Sequence, residues 1–414
     1  MPDTTPVPQA LLDRIAQGRD LVIDLQRKLV AIPALGPKNG GQGEKDKADF
    51  LKGYIKEMGL ADVQELRAPD PGVECGYRPS LAVRLPGRDQ GRTLWIISHL
   101  DVVPPGDLDL WDFDPYELQV DGDLVLGRGV EDNHQGLVSS VVLAKALLDL
   151  DIIPDLSLGL LMVADEETAS TFGLDWVLKE HGDLFKADDL FLIPDFGDDT
   201  GEMVEVAEKS MLWLKVTVHG KQCHGSTPDE GINTLVASAD LILRITGLGE
   251  RFPARDPLFN PDRSTFEPTK KDANVANVNT IPGRDVFYVD CRVLPQYGLD
   301  EVLAAFRELA DQVEAERGVT ISLDIDQGEQ AAPATPADGE IARRVMDAAK
   351  AVYANDPKAV GIGGGTVAAF LRRAGYQAVV WSRLMHNAHQ PNEKSSIAFT
   401  LGDAQVMARM LFNG

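Results

Sequence analysis

The chain has 414 residues, 44% hydrophobic and 25% charged, the composition of a globular protein long enough for two cores rather than one. Its formal net charge of -25 repels phosphate backbones and anionic headgroups, so neither nucleic acid nor a membrane surface is expected as a partner. Apolar runs such as Leu156 to Ala164 are too short to cross a bilayer, and the N-terminal stretch lacks a signal-peptide pattern. Three scattered cysteines, Cys75, Cys223 and Cys291, indicate neither a disulfide framework nor a zinc knuckle, and a cytoplasmic location is expected.

Taken in chain order, helical spacing of apolar residues predicts helices from about Leu11 to Ala31 and from Glu44 to Met58. Short apolar runs then alternate with helices. Thr93 to Leu100, Asp123 to Leu126, Ser157 to Ala164 and Asp189 to Pro194 read as buried strands, with helices at Gly136 to Leu150 and Phe172 to Glu180 between them. This alternation predicts an α/β domain built on a mostly parallel sheet. From about Glu208 the pattern changes: Leu212 to His219 alternates as a half-exposed strand, followed by a helix at Thr234 to Gly247 and a Pro- and charge-rich loop at Phe252 to Asp272. A strand at Asp285 to Val293, a helix at Asp300 to Arg317 and a strand at Thr320 to Ile325 complete a small α+β insert of ferredoxin-like type. After the linker Ala331 to Gly339 come a helix to Ala354, a strand to Ile362, a glycine-rich turn, a helix from Thr366, the strand Ala378 to Ser382 and a last helix from Ser395. The expected organisation is a discontinuous catalytic domain, 1–208 and 328–414, interrupted by a lid and dimerisation domain at 209–327.

Several apolar runs end in residues able to bind a cation, at the carboxyl strand ends where open α/β sheets gather their sites. His99 closes LWIISHL, with Asp101 two residues on and on the same side. Asp132 lies in GRGVEDNHQG just before a helix; alone it would read as an N-cap, and His134 beside it as a solvated first-turn residue. Asp165, Glu166 and Glu167 follow the strand SLGLLMV, and three adjacent acids repel one another unless cations sit among them. If that segment is extended, Glu166 and Glu167 face opposite ways and can divide proton transfer from metal binding. Asp195 ends the apolar run in LIPDFGD. His389 precedes the last helix in MHNAHQPNEKSSI, where His386 reads as structural or peripheral. Each signal alone has a bland reading: a carbonyl-bonded histidine, a helix cap, a solvated acidic turn. Their concurrence at strand ends points to a metal centre.

The order HLD, GRGVED, DEE, PD and HQPNE resembles the co-catalytic zinc aminoacylase and carboxypeptidase family, which includes acetylornithine deacetylase, succinyl-diaminopimelate desuccinylase and dipeptidases. The resemblance implies a di-metal aminopeptidase-like catalytic domain in which Asp132 bridges two divalent ions, zinc foremost, with cobalt or manganese as alternatives. His99 and Asp195 would complete one site and Glu167 and His389 the other. Asp101 would orient His99, Glu166 would be the general base, and the Asp132–Asn133 peptide would be cis. In the lid, GKQCHGSTPDEGIN resembles the segment whose histidine, His224, reaches a partner subunit's active site, which implies a homodimer through the lid. Asn279 and Arg292 match substrate-contacting positions, and Gly364, Gly365 and Thr366 form a helix start suited to a carboxylate. The implied substrate is an N-acyl amino acid, with a dipeptide as alternative. A binding protein that retains the fold without catalysis is the reading from another class. Many relatives follow the bridging Asp with a Lys-Gly pair, whereas Asn133, His134 and Gln135 stand here, so the subgroup is left open.

Overall fold

The computed structural model describes residues 6–60 and 62–412. The reading of the N-terminal stretch therefore falls partly on residues 1–5, outside those described. The chain folds as two compact units, Met1–Val206 with Thr335–Ala359 and Phe370–Gly414, and Ala207–Ala334 with Val360–Ala369. Gly364, Gly365 and Thr366 thus fall in the second unit.

In the first unit, the uniformly buried strand Leu156–Val163 pairs in parallel with Asp89–His99. Asp89–His99 pairs in parallel with Leu190–Asp198, and Leu190–Asp198 with Gln377–Arg383. This parallel centre sets His99 level with Val163, so the chain continuing into Asp165, Glu166 and Glu167 leaves the sheet beside it. Tyr77–Leu85 and Val63–Pro69 extend one side antiparallel, and Met203–Glu208 joins antiparallel to Gln377–Arg383 on the other. Lys358–Ile362 is last in the sheet order. The strands at 63–69 and 77–85 escaped the sequence reading because PSLAVRL and VQELRAP lack the length and purity of the central runs.

The helix His134–Asp149 is buried along nearly its whole length and packs on the central strands, its Gly136 backbone close against Pro194. The expected single helix over 11–31 is two, Gln9–Ala16 and Arg19–Val30, broken at Gln17 and Gly18. The run at 123–126 is not in the large sheet. Leu124–Leu126 forms a small antiparallel sheet with Gln119–Asp121 and Lys394–Ser396, because Gly122 and Gly127, both at positive φ, turn the chain at each end of it.

The second unit is a four-stranded antiparallel sheet in the order Thr265–Lys271, Arg284–Val293, Ser210–His219, Thr320–Glu329. The helices Thr234–Ile245 and Leu299–Arg317 pack against it. Leu212, Leu214, Val216 and Val218 alternate inward with Phe287, Val289, Cys291 and Val293, against Ala237, Leu241, Val302 and Phe306. The chain order strand-helix-strand-strand-helix-strand is the ferredoxin-like arrangement. It includes the strand Thr265–Lys271, placed in a loop by the sequence reading. Pro268 and three charges disguised it, and the pairing shifts register between Pro268 and Lys270, as an edge strand tolerates.

Close packing of the large sheet gives a test. A Cβ at Gly159 would lie 2.3 Å from Cε3 of the buried Trp95. Gly159→Ala should lower stability by about 1–3 kcal/mol through overpacking, measured by denaturant unfolding.

Candidate metal centre

The strand ends of the first unit bring His99, Asp101, Asp132, Glu166, Glu167, Asp195 and His389 together. His99 is buried, its Nε2 lying 2.9 Å from Asp132 Oδ1 and 3.7 Å from Asp195 Oδ1. The other oxygen of Asp132, Oδ2, lies 3.1 Å from His389 Nε2, which is 3.2 Å from Glu167 Oε2. Two groups result, His99–Asp132–Asp195 and Asp132–Glu167–His389, each with its ligand atoms within 4.8 Å of one another, and Asp132 belongs to both. Two ligand atoms on one tetrahedral zinc at about 2.0–2.1 Å stand roughly 3.3 Å apart, so these clusters fit such an ion.

Electrostatics point the same way. Burial pulls the His99 imidazole down, but the carboxylates of Asp101, Asp132 and Asp195 outweigh it and hold its pKa well above the usual range. His389 is raised to about 10 by Asp132 and Glu167. Burial, reinforced by Asp195, Glu167 and Asp132, pushes Glu166 well above a normal carboxyl, with His99 opposing.

The surroundings correct parts of the sequence reading. The carboxylate of Asp101 accepts the backbone N–H groups of Glu166 at 3.1 Å and Glu167 at 3.0 Å, fixing the acidic turn. His99 Nδ1 meets the backbone carbonyl of Asp101 at 2.9 Å, with the carboxylate at 3.6 Å. Glu166–Thr168 is a 3-10 turn entered through Asp165 at a φ of 59°, not an extended segment, so the two glutamates diverge by turn geometry. Asp165 is held by Phe172 N–H and by Arg78, which also pairs with the buried Glu44. The Asp132–Asn133 peptide is cis, and Asn133 Nδ2 donates to Asp195 Oδ1 at 2.5 Å.

His134 is not solvated. It is fully buried, its Nε2 is 2.8 Å from the ammonium of Lys47, and its ring lies against Gly129. Burial lowers Lys47 to about 7, against carboxylates that raise it. The sequence carried a signal for this: Lys47 shares helical spacing with Leu51 and Ile55, both buried.

In the second unit, Cys223–His224 pairs with Thr280–Ile281, placing Asn279 Nδ2 3.5 Å from His224 Nε2. His224 is exposed, its Nδ1 2.7 Å from Ser226 Oγ. Arg292 is braced by Asp290, Nε to Oδ1 at 2.7 Å and Nη2 to Oδ2 at 2.9 Å, and donates to the carbonyl of Gly363 at 2.8 Å. The N–H and hydroxyl of Thr366 donate to Glu208, so that turn already holds a carboxylate of this chain. The helix beyond it is Ala368–Arg373, starting later than expected.

A largely parallel sheet whose strand ends gather two imidazole–carboxylate groups around one shared aspartate defines a metal-dependent hydrolase of peptide or amide bonds. The chain belongs to peptidase family M20/M25/M40, which matches residues 95–413. It is 40% identical over 408 residues to an uncharacterized metallohydrolase of Methanocaldococcus jannaschii, covering 94% of this chain and 98% of that one. Identity to a succinyl-diaminopimelate desuccinylase of Methylorubrum extorquens is 27% over 382 residues, 90% and 94% of the two chains. Among solved structures, a tripeptidase of Staphylococcus aureus matches with a TM-score of 0.74 at 17% identity, covering 95% of this chain and 97% of that one. An M20 family metallo-carboxypeptidase of Sulfolobus solfataricus matches at 0.71 and 17%, covering 94% and 98%. Membership implies divalent metal, and the two ligand groups supply suitable donors. No helix among the described residues is long and apolar enough to cross a membrane.

The buried Lys47 gives a pH test. Its folded pKa is lowered from 10.5 to about 7, so between those values the unfolded chain binds the extra proton. Stability therefore rises with pH across that window. In metal-free protein, wild type should gain stability relative to Lys47→Met between about pH 7 and 10, read by urea unfolding at several pH values. A flat difference would contradict the shift.

Proposed function

We propose that this chain hydrolyses the amide bond of a small substrate bearing a free carboxylate, foremost an N-acyl amino acid, with Glu166 as general base. The observation that carries this is the placement of Glu166 beside two ligand groups that share Asp132, with a carboxyl whose pKa burial and neighbouring carboxylates raise. Two divalent ions, zinc by donor type, would be held by His99, Asp132 and Asp195 and by Asp132, Glu167 and His389. Ions held there would supply Lewis acidity, polarising a carbonyl and making a nearby water easier to deprotonate. Glu166 accepts a proton from the attacking water and returns it to the departing amine. Asp101 holds Glu166 and Glu167 through their backbone N–H groups while this happens. His224 would donate to the developing oxyanion, and Asn279, Arg292 and the Gly364–Gly365–Thr366 turn would hold the substrate carboxylate. Arg292 would do so as a braced guanidinium, and Thr366 by exchanging Glu208 for the ligand.

A dipeptide is the second reading. The desuccinylase relative supports an acyl amino acid, while a dipeptidase from Saccharomyces cerevisiae, similar in fold at a TM-score of 0.70 and 16% identity, supports a peptide. The exposed position of His224 suits service to a second copy of the chain, and a homodimer through the second unit is proposed on that basis.

Glu166→Ala should retain its metal content while losing about two to four orders of magnitude in turnover. Metal analysis alongside assays on succinyl-diaminopimelate, acetylornithine and a dipeptide panel checks both base and substrate; wild-type turnover in the variant would remove Glu166 from the mechanism. His224→Ala should lose about 100- to 1,000-fold in turnover, partly recovered by mixing with Glu166→Ala subunits. Confirmed heterodimers without any recovery would contradict a shared site.

A further inference from the structure

The segments 127–132 and 385–394 hold each other through two buried carboxylates. Glu393, fully buried, accepts the N–H groups of Gly129 at 2.8 Å, Glu131 at 2.9 Å and Asp132 at 3.0 Å, and Arg128 Nη1 at 2.6 Å. Glu131, 2% exposed, reaches the other way. Its Oε1 accepts the N–H groups of Asn387 at 2.8 Å and Ala388 at 3.2 Å, and its Oε2 accepts Met385 N–H at 2.6 Å and Asn387 Nδ2 at 3.1 Å. The backbone adds Gly127 N–H to the Glu393 carbonyl at 3.0 Å and the pairing of Lys394 with Leu126. Glu131 immediately precedes Asp132, and His389 immediately follows the segment that Glu131 grips.

We propose that Glu131 and Glu393 are reciprocal positioning residues for the metal centre. Glu393 fixes the backbone that delivers Asp132 to both ligand groups, while Glu131 fixes the segment that delivers His389 to one. All four donors to Glu131 are amide N–H groups of 385–388, and each of its two oxygens accepts two of them. Burying a carboxylate is costly, and cheaper apolar packing could join two loops; the carboxylate instead gives each loop a single geometry. His389 is itself exposed and at positive φ, and it reaches the centre from this loop through the contacts of its Nε2 with Asp132 and Glu167. The inference rests on the two-ion reading above, since the two glutamates should affect the ions differently.

The test is the binding of Zn2+ alone to full-length protein, by titration against a chelator with metal content measured after dialysis. Glu131→Gln turns an amide NH2 toward two N–H donors. It should weaken one of two zinc sites about 10- to 100-fold and leave the other within about twofold. In a His389→Ala background the same substitution should change zinc binding by less than about twofold, because the ligand it positions is gone. Asn387→Ala withdraws one of the four donors to Glu131, together with its side chain's contacts to the Lys394 carbonyl and N–H, and should weaken the same single site, which covers a Glu131→Gln protein that fails to fold. Equal loss at both sites, an undiminished effect in the His389→Ala background, or two wild-type sites in folded Glu131→Gln or Asn387→Ala would each overturn the proposal. Wild-type protein that takes up no Zn2+ would instead overturn the two-ion reading itself.

Discussion

One carboxylate, that of Asp132, faces two ligand groups at once, and much of the first unit can be understood as fixing it. Its two oxygens point at His99 on one side and His389 on the other, residues 290 positions apart in the chain. A side chain shared between two ligand groups tolerates little play, since any rotation that improves one set of contacts spoils the other. The constraint therefore passes to the backbone around it, which Glu393 holds by three N–H groups and Gln26 by the carbonyl of Val130.

The neighbouring acids obey a similar logic. Carboxylates crowded at strand ends repel, and hydrogen bonds within the surrounding chain restrain them. Asp101 grips the turn carrying Glu166 and Glu167 through its main chain, while Asn133 grips Asp195 and the Pro194 carbonyl together. Beneath them, Glu44, Arg78 and Asp165 form a buried network that anchors the turn from below. A net charge of -25 does not by itself mark such a place; what marks it is that these acids are pinned rather than solvated.

The second unit reaches its order by different means. Its sheet and helices bury an apolar core of their own, so the outer positions are free to carry His224, Asn279 and Arg292. Asp290 illustrates the cost of placing a cation there: a guanidinium left alone would be mobile, and the bidentate contact sets its plane.

The apolar runs made the parallel centre readable from sequence, because period is a local property. His99, Asp132, Glu167, Asp195 and His389 stand out only together, through the order of their motifs, and the structure gathers them into two groups that share Asp132. Edge strands were harder, since Thr265–Lys271 is half-exposed and carries Pro268, and Leu124–Leu126 looked like a core strand although its glycines turn it into a hairpin. Glu131 and Glu393 read as ordinary acids, and His134 as a solvated first-turn residue, because burial depends on partners more than 80 positions away in each case. Candidate metal donors can be picked out by residue type and motif order. Which acids belong to the ligand groups and which hold the backbone still is set by hydrogen bonds between segments more than 200 residues apart, and no local pattern contains that division.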